Sequence, residues 1–304
     1  MRVLVTGADG FVGRYACDAL QAAGHQVSPV GGPSAHAGHR LNLTDGSAVA
    51  ELVTLAKPEV ILHLAAQSSV AQSWRDPQRT LQVNTLGTLA LWQAAVRSGA
   101  SRLIYVSTAE VYQPLPAPAL LGETSPRDPI NPYGVSKLAA ETLLMQLAPA
   151  ANTSLMVIRP FNHVGPGQHA GFVLQDVARQ IATIHDDGNG TAIRVGNLSP
   201  VRDFLDIRDV ARAYVLAVNH TELRGVYNLC SGIPRSIGSV IEEMLRLSHL
   251  DASVLAIDPG KFRPADTPYL VGNPQAFADA TDWHPTIGWD QTLKDILAEA
   301  THRV

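Results

Sequence analysis

Tyr133 and Lys137, in Tyr-Gly-Val-Ser-Lys, stand four residues apart and share one face of any helix that carries them, close enough to meet a common ligand. A phenol beside an ammonium is equipment for exchanging a proton with a carbonyl or alcohol oxygen. Free tyrosine titrates near pH ~10, and a cation within reach lowers that by ~1–3 units, so Lys137 is expected to bring Tyr133 toward working range. Upstream, Tyr105-Val106-Ser107-Thr108 closes an apolar run with two hydroxyls, at what would be the C-terminal edge of a sheet, where doubly wound folds bind ligands.

A third signal opens the chain. Val3-Leu4-Val5-Thr6 runs directly into Gly7-Ala8-Asp9-Gly10-Phe11-Val12-Gly13, a G-x-x-G-x-x-G pattern between an apolar run and an amphipathic one. Gly7 permits a tight turn, Gly10 lets the backbone approach a pyrophosphate, Gly13 lets the helix pack on its strand, and the amides that open the helix at Phe11 and Val12 face the anion. The chemistry predicted is dinucleotide binding. An NAD-specific site would carry Asp or Glu roughly 20 residues on. Here that place reads Val27-Ser28-Pro29-Val30-Gly31-Gly32, without an acid, which favours NADP(H) or tolerance of both NADP(H) and NAD(H). Arg14 and Arg40 are candidates for a 2′-phosphate, against the plainer reading of solvated surface arginines.

These groups need a scaffold. Short β-branched runs at 2–6, 59–64, 102–107 and 154–159 alternate with helical spacing at 11–23, 82–98 and 133–147, the signature of βαβ units. Beyond Pro160, Gly, Pro and Asn turns separate shorter segments, with helices predicted at 171–184, 207–218 and 237–247. The expected class is α/β: a doubly wound parallel sheet with a smaller α/β substrate-binding domain. Residues 1–164 with roughly 201–235 would bind the dinucleotide, and roughly 165–200 with 236–304 the substrate. The proline-rich stretch 113–132 reads as a long loop that covers a cleft.

Composition narrows the function classes. The 304 residues, 46% hydrophobic and 16% charged, can bury a large core without disulfide or metal staples. Lys+Arg 23 against Asp+Glu 27 gives a net charge of -4 and no basic footprint for nucleic acid or anionic membrane. No apolar run approaches the ~18 residues of a membrane span. Cys17 and Cys230 read as buried thiols in a reducing, cytoplasmic setting, His63 as a core histidine, and no spacing suggests a metal site.

Gly7-x-x-Gly10-x-x-Gly13, His63-Leu64-Ala65-Ala66, Asn84-x-x-Gly87-Thr88, Ser107-Thr108-x-x-x-Tyr112, Tyr133-x-x-x-Lys137 and Arg159-Pro160-Phe161-Asn162 together resemble the extended short-chain dehydrogenase/reductase family, along essentially the whole chain. The resemblance implies proton exchange at a sugar oxygen by Tyr133, cofactor ribose binding by Lys137, and a hydrogen bond from Thr108 that orients the reacting carbonyl. Asn84 and Ser107 are weaker candidates beside those three, since both also serve as ordinary helix-start or strand-end residues, and the resemblance further implies a cofactor site lined by Asn42, Leu43, Leu64, Ala65 and Ala66. Asn42 stands where the family usually has an Asp on the adenine amine; its carbonyl can still accept. Gln113 replaces a customary Gly, which bears on the path of that loop. The family pattern further implies a homodimer, pairing the helix after Asn84 with the helix of Tyr133.

Within the family, 63–70, 159–168, 201–210 and 227–232 are most similar to the branch that acts on GDP-sugars. Asn162, Arg202 and Arg263 become candidates for the sugar diphosphate, Arg because its planar fork matches phosphate oxygens. For Arg202 the plainer reading is a structural pair with Asp203 or Asp206, and for Asn162 a turn residue capping its own backbone. The implied reaction is NAD(P)H-dependent reduction of the 4-keto group of GDP-4-dehydro-6-deoxy-D-mannose. Glu110 keeps 4,6-dehydration open, since that branch's dehydratases carry there the carboxylate that removes the C5 proton; in a reductase it would only contact substrate or shape the site. Ala109 counts against elimination. The 6-deoxytalose epimer as product, and UDP-, dTDP- or CDP-sugars as substrates, also remain open.

Overall fold

Val3, Leu4 and Val5 bury side chains on both faces of the first strand, as a strand covered on both sides requires. The computed structural model describes residues 1–34, 39–187, 192–262 and 267–302. Its first half runs β1 (Arg2–Thr6), α1 (Phe11–Ala22), β2 (Gln26–Gly31), β3 (His39–Arg40), α2 (Gly46–Ala56), β4 (Val60–His63), α3 (Val70–Arg75) and α4 (Pro77–Leu81). A turn of π-helix (Gln82–Gly87) then leads into α5 (Thr88–Ser98), followed by β5 (Arg102–Val106), α6 (Pro132–Leu147) and β6 (Ser154–Pro160). After β7 (Asn162–Val164) come α7 (Val173–Asp187), β8 (Ile193–Val195), β9 (Val201–Asp206), α8 (Ile207–Asn219) and β10 (Gly225–Leu229). The chain closes with β11 (Pro234–Ser236), α9 (Ile237–Leu247), β12 (Leu255–Ile257), β13 (Tyr269–Leu270), α10 (Gln275–Thr281) and α11 (Trp289–His302).

Seven strands form one parallel sheet in the order β10-β6-β5-β4-β1-β2-β3, so the direction of winding reverses between β1 and β4. Ligands in such folds lie at that reversal, beyond the C-terminal strand ends. One face is covered by α1 and α8 through Ala16, Leu20, Ala213 and Ala217. The other is covered by α2, α5 and α6 through Val49, Val53, Leu91, Ala95 and Leu144. Each fully buried aliphatic side chain of this kind stabilises by ~1.5–3 kcal/mol. A separate core joins α7, α9 and α11 to β8 and Phe204. A smaller sheet has the order β11-β9-β13, with β7 also on β9.

The doubly wound sheet agrees with the sequence reading, and most predicted elements fall within a residue or two. The helix expected at 82–98 is different: its first six residues are π-helical, and two short helices precede it. Pro77 opens α4, where its missing N–H costs nothing, and Asp76 caps it through Oδ1 to Arg79 N at 2.9 Å. The reading also passed over α2, although Asp45 caps it through Ser47 N and Ala48 N at 3.1 and 3.0 Å. Stretch 113–131 is a loop as predicted, and is tied down rather than loose: Leu121 N reaches Val271 O and Asn273 N reaches Leu121 O, both at 2.9 Å. Gln113, where a glycine is customary, donates its amide to Pro126 O at 2.9 Å. Both cysteines are buried free thiols, as read. Among the described residues no helix is long and apolar enough to cross a membrane.

Candidate active site

Gly7 turns the chain out of β1 at φ +74°, a conformation few side chains tolerate. A Cβ at Gly7 would lie 2.8 Å from Ala65 N, and one at Gly13 would lie 2.0 Å from Gly7 O. The backbone therefore forms a cradle that only glycine leaves open. Gly10, the N-cap of α1, offers no side-chain cap, and the first turn holds no acid, so the amides of Phe11 and Val12 meet no competing carboxylate there. This donor set fits a pyrophosphate.

Beside the cradle lies a cavity of about 150 Å³ at the β1/β2 end of the sheet. It gathers Gly7, Asn42, Leu43, Ala65 and Ala66 from the expected cofactor residues, and adds Gly31, Gly32, Pro33, Arg79 and Val83. Leu64, expected in the same site, stands outside the lining, with its amide on Thr6 O at 3.2 Å. Asn42 faces the cavity while its Oδ1 accepts from Thr44 N at 3.2 Å and Thr44 Oγ1 at 2.8 Å, so its carbonyl already serves a local turn. Arg14 extends Nη2 to Gly167 O at 3.0 Å. Arg40 lies exposed on β3, opposite Gly31.

Thr108, Tyr133 and Lys137 converge at the ends of β5 and α6. Thr108 caps the single turn Ala109–Val111, accepting from Glu110 N at 3.2 Å, and hydrogen-bonds the Tyr133 side chain. Asn131 caps α6 through Oδ1 to Gly134 N at 2.8 Å. Gly134 is the residue that lets the two segments touch, since a Cβ there would lie 2.3 Å from Glu110 O. Burial pushes the Tyr133 phenol up to about 12; the Thr108 hydrogen bond lowers it and the Glu110 carboxylate raises it. Burial pulls the Lys137 ammonium down to about 7, against the pull of Glu141. Lys137 Nζ lies over the Tyr105 ring, 4.4 Å from its centre. In the protein alone, burial is the largest influence on both groups, raising the phenol and lowering the ammonium. At neutral pH the phenol keeps its proton.

Asn84 is fully buried and links three segments. From the π-helical turn its side chain accepts from Gln67 N at 2.8 Å and donates to Gln67 O and Ser136 Oγ, each at 3.0 Å. Ser136 in turn donates to Tyr133 O at 2.7 Å, and Thr85 Oγ1 holds Ser136 O at 2.8 Å. His63 is a core residue as expected, bonded to Thr6 and Thr88 hydroxyls at 2.7 and 2.9 Å and held neutral at about 3 by burial and the Lys137 charge.

Ser107 points away from Thr108 and donates to buried Glu141 Oε2 at 2.9 Å. Arg159 pairs with the same carboxylate, through Nε at 3.1 Å and through Nη2, and reaches Tyr112 Oη at 2.8 Å and Glu123 O at 2.9 Å. Glu110 is half-buried with Oε2 accepting from Asn131 Nδ2 at 2.9 Å. Asn162 lies on β7, paired opposite Phe204, rather than in the turn that both of its readings assumed. Arg202 is buried on β9, with Nη1 donating to Val201 O at 2.9 Å and Thr267 O at 2.6 Å. Its suggested partners are engaged elsewhere: Asp203 accepts from the Ser231 and Gly232 amides at 2.8 Å, and Asp206 from Arg208 Nε at 2.8 Å. Arg263 lies outside the described residues. Sequence reasoning missed Asn131, Gly134 and Arg79; Asn131-Pro132 is a helix-start signature that was there to read.

Residues 3–230 match the model of the NAD dependent epimerase/dehydratase family. The chain is 38% identical to GDP-6-deoxy-D-mannose reductase of Pseudomonas aeruginosa over 308 residues, covering 100% of this chain and 98% of that protein. Among solved structures it is similar to RMD from Pseudomonas aeruginosa complexed with NADPH, with TM-score 0.88, 37% identity and coverage of 100% and 99%. UDP-glucose 4-epimerase of Thermus thermophilus in complex with NAD superposes with TM-score 0.89 at 27% identity and full coverage of both chains.

Proposed function

This chain belongs to the NAD dependent epimerase/dehydratase family, and from that premise we propose that it reduces the 4-keto group of GDP-4-dehydro-6-deoxy-D-mannose to give GDP-6-deoxy-D-mannose. The observation that carries the substrate is the 38% identity, end to end, with a GDP-6-deoxy-D-mannose reductase. A nicotinamide dinucleotide, NADPH or NADH, would be held by the Gly7–Gly13 cradle, the amides of Phe11 and Val12, and the cavity walled by Asn42, Leu43, Ala65 and Ala66, and supplies the hydride when bound.

The protein's own part is proton delivery and orientation. A phenol held at about 12 is a donor at neutral pH, the protonation state that reduction of a carbonyl demands. Tyr133 gives its proton to the C4 oxygen, Thr108 shares the hydrogen bond that aims that oxygen, and Lys137 holds the cofactor ribose. Asn162 and Arg202 contact the sugar diphosphate, with Arg263 as a third contact. Glu110, tied to the Asn131 cap, braces the start of α6 instead of abstracting a proton. Residues 1–164 with roughly 201–235 serve the dinucleotide, and roughly 165–200 with 236–304 the sugar nucleotide. The setting is cytoplasmic, and two copies pair through α5 and α6.

The test is oxidation of NADPH and of NADH with the ketosugar made in situ from GDP-mannose, with the product identified by NMR. Consumption of nucleotide with a rhamno-configured product is expected, and Tyr133→Phe should lower turnover by ~10²–10⁴-fold. A talo product would reverse the face, and water loss from GDP-mannose alone without net use of added nucleotide would make Glu110 a base and the enzyme a dehydratase.

A further inference from the structure

β2 ends without the acid that would read a ribose hydroxyl, and the fold brings one to that place from another segment. Asp9, in the turn between β1 and α1, sets Oδ1 3.2 Å from the amide of Gly32, the first residue beyond β2. The neighbouring Ala8 amide bonds Val30 O at 3.1 Å, so the turn is tied to β2 twice. Gly32 itself lines the cavity beside the phosphate cradle, together with Gly7, Gly31 and Pro33. The carboxylate is exposed and accepts only, which suits it to a hydroxyl donor and sets it against a second anion.

We propose that Asp9 selects the nucleotide: it accepts the 2′-hydroxyl of the adenosine ribose and repels a 2′-phosphate, so that the chain takes NADH at least as readily as NADPH. The inference rests on the dinucleotide reading above and deepens it. Three cations lie near enough to be weighed. Arg79, the one charged residue among the cavity's described lining, sits at the Asn42–Thr44 end with Nη1 3.5 Å from Thr44 Oγ1, and attracts a phosphate from there. Arg14 is turned to Gly167 O, and Arg40 is exposed on β3; Arg40 and Asp9 both stand outside the lining, and of the two Asp9 is the one bonded to a lining residue, Gly32. Asp9 is the charge fixed to the end of β2 itself, where the extra phosphate has to fit.

The measurement is direct binding of NADPH and of NADH to the purified full chain without sugar, by nucleotide fluorescence titration, for wild type, Asp9→Asn, Asp9→Ser and Arg79→Ala. Asp9→Asn keeps an acceptor for the Gly32 amide while removing the charge. Wild type should bind NADH as tightly as NADPH or better, and both Asp9 variants should tighten NADPH by about tenfold; Asp9→Ser, which loses the acceptor for the 2′-hydroxyl, should also weaken NADH by about tenfold, while Asp9→Asn changes NADH by less than about threefold. A wild type that prefers NADPH by more than about tenfold, or a preference that moves with Arg79→Ala and not with Asp9→Asn, overturns the assignment. If both nucleotides bind wild type and the Asp9 variants leave their ratio unchanged, only Asp9 fails; if neither binds, the dinucleotide reading falls with it.

Discussion

Lys137 is buried to 2% exposure on the helix that carries Tyr133, and its ammonium is drawn down to about 7 from an ordinary 10.5. A base depressed in the folded state costs stability while both states hold the proton. That cost is relieved as pH rises from about 7 toward 10.5, where the unfolded chain still binds a proton that the folded chain has released. Lys137→Met removes the charge at nearly constant volume. The variant should be more stable than wild type at pH 7 by a few kcal/mol (~2–4), and the difference should shrink toward pH 9, as read by urea midpoints; equal stability at both pH values would show the ammonium already solvated. The Tyr-x-x-x-Lys spacing was legible because it is local to one helix. The direction of both pKa shifts was not, because burial is set by what packs around the pair, Tyr105 from β5 lying under the ammonium, and it outweighs the opposing charge of Glu141 a turn further along α6.

At the scale of elements, the ion pair between Arg159 at the end of β6 and Glu141 on α6 joins what the sequence presents as separate motifs. Glu141 also accepts from Ser107 beyond β5, and Arg159 reaches Tyr112 and Glu123 O in the long loop. Tyr112 then donates to Asn228 on β10 at 2.6 Å, and Asn228 N to Glu123 Oε1 at 2.8 Å. One buried network therefore fixes α6, two strand ends and the loop expected to cover the cleft. Glu141→Gln leaves a buried guanidinium without its counter-charge and should destabilise by about 3 kcal/mol in equilibrium unfolding. A loss below about 1 kcal/mol would mean that the neutral acceptors around Arg159 suffice. The motif residues were visible one by one; their mutual contacts come from strand order, which spacing along a chain does not encode. Asp9 and Gly32 are a second case, 23 residues apart and brought together by the adjacency of β1 and β2.

For the whole molecule, α5, α6 and the turn before α5 present Leu86, Val96, Val135 and Leu143 to solvent at 58%, 37%, 45% and 39% exposure, an apolar surface that suits a second copy. Light scattering should give about twice 32.4 kDa, and Val135→Glu with Leu143→Glu should bring it to the monomer mass while Tyr133 stays in place. A monomeric wild type would sink the pairing. The βαβ pattern of a parallel sheet was readable from alternating apolar periods and the phosphate turn from its glycine spacing, while the place where the winding reverses, between β1 and β4, is seen only in the fold. The interrupted helix before Ser98 was not, because periodicity gives a helix and says little of its pitch.

That interruption also limits how the chain can change in length. A π-helical turn holds one residue more than an α-turn, so Pro77–Leu81 and Thr88–Ser98 are out of phase by about 100° across Gln82–Gly87. Delete one residue there and the helix becomes regular, but Asn84 no longer faces Gln67 and Ser136 while Leu91 and Ala95 still face the sheet. Descendants of this gene can replace many residues of that segment, yet they cannot gain or lose one within those six without unfastening the helix that bears Tyr133.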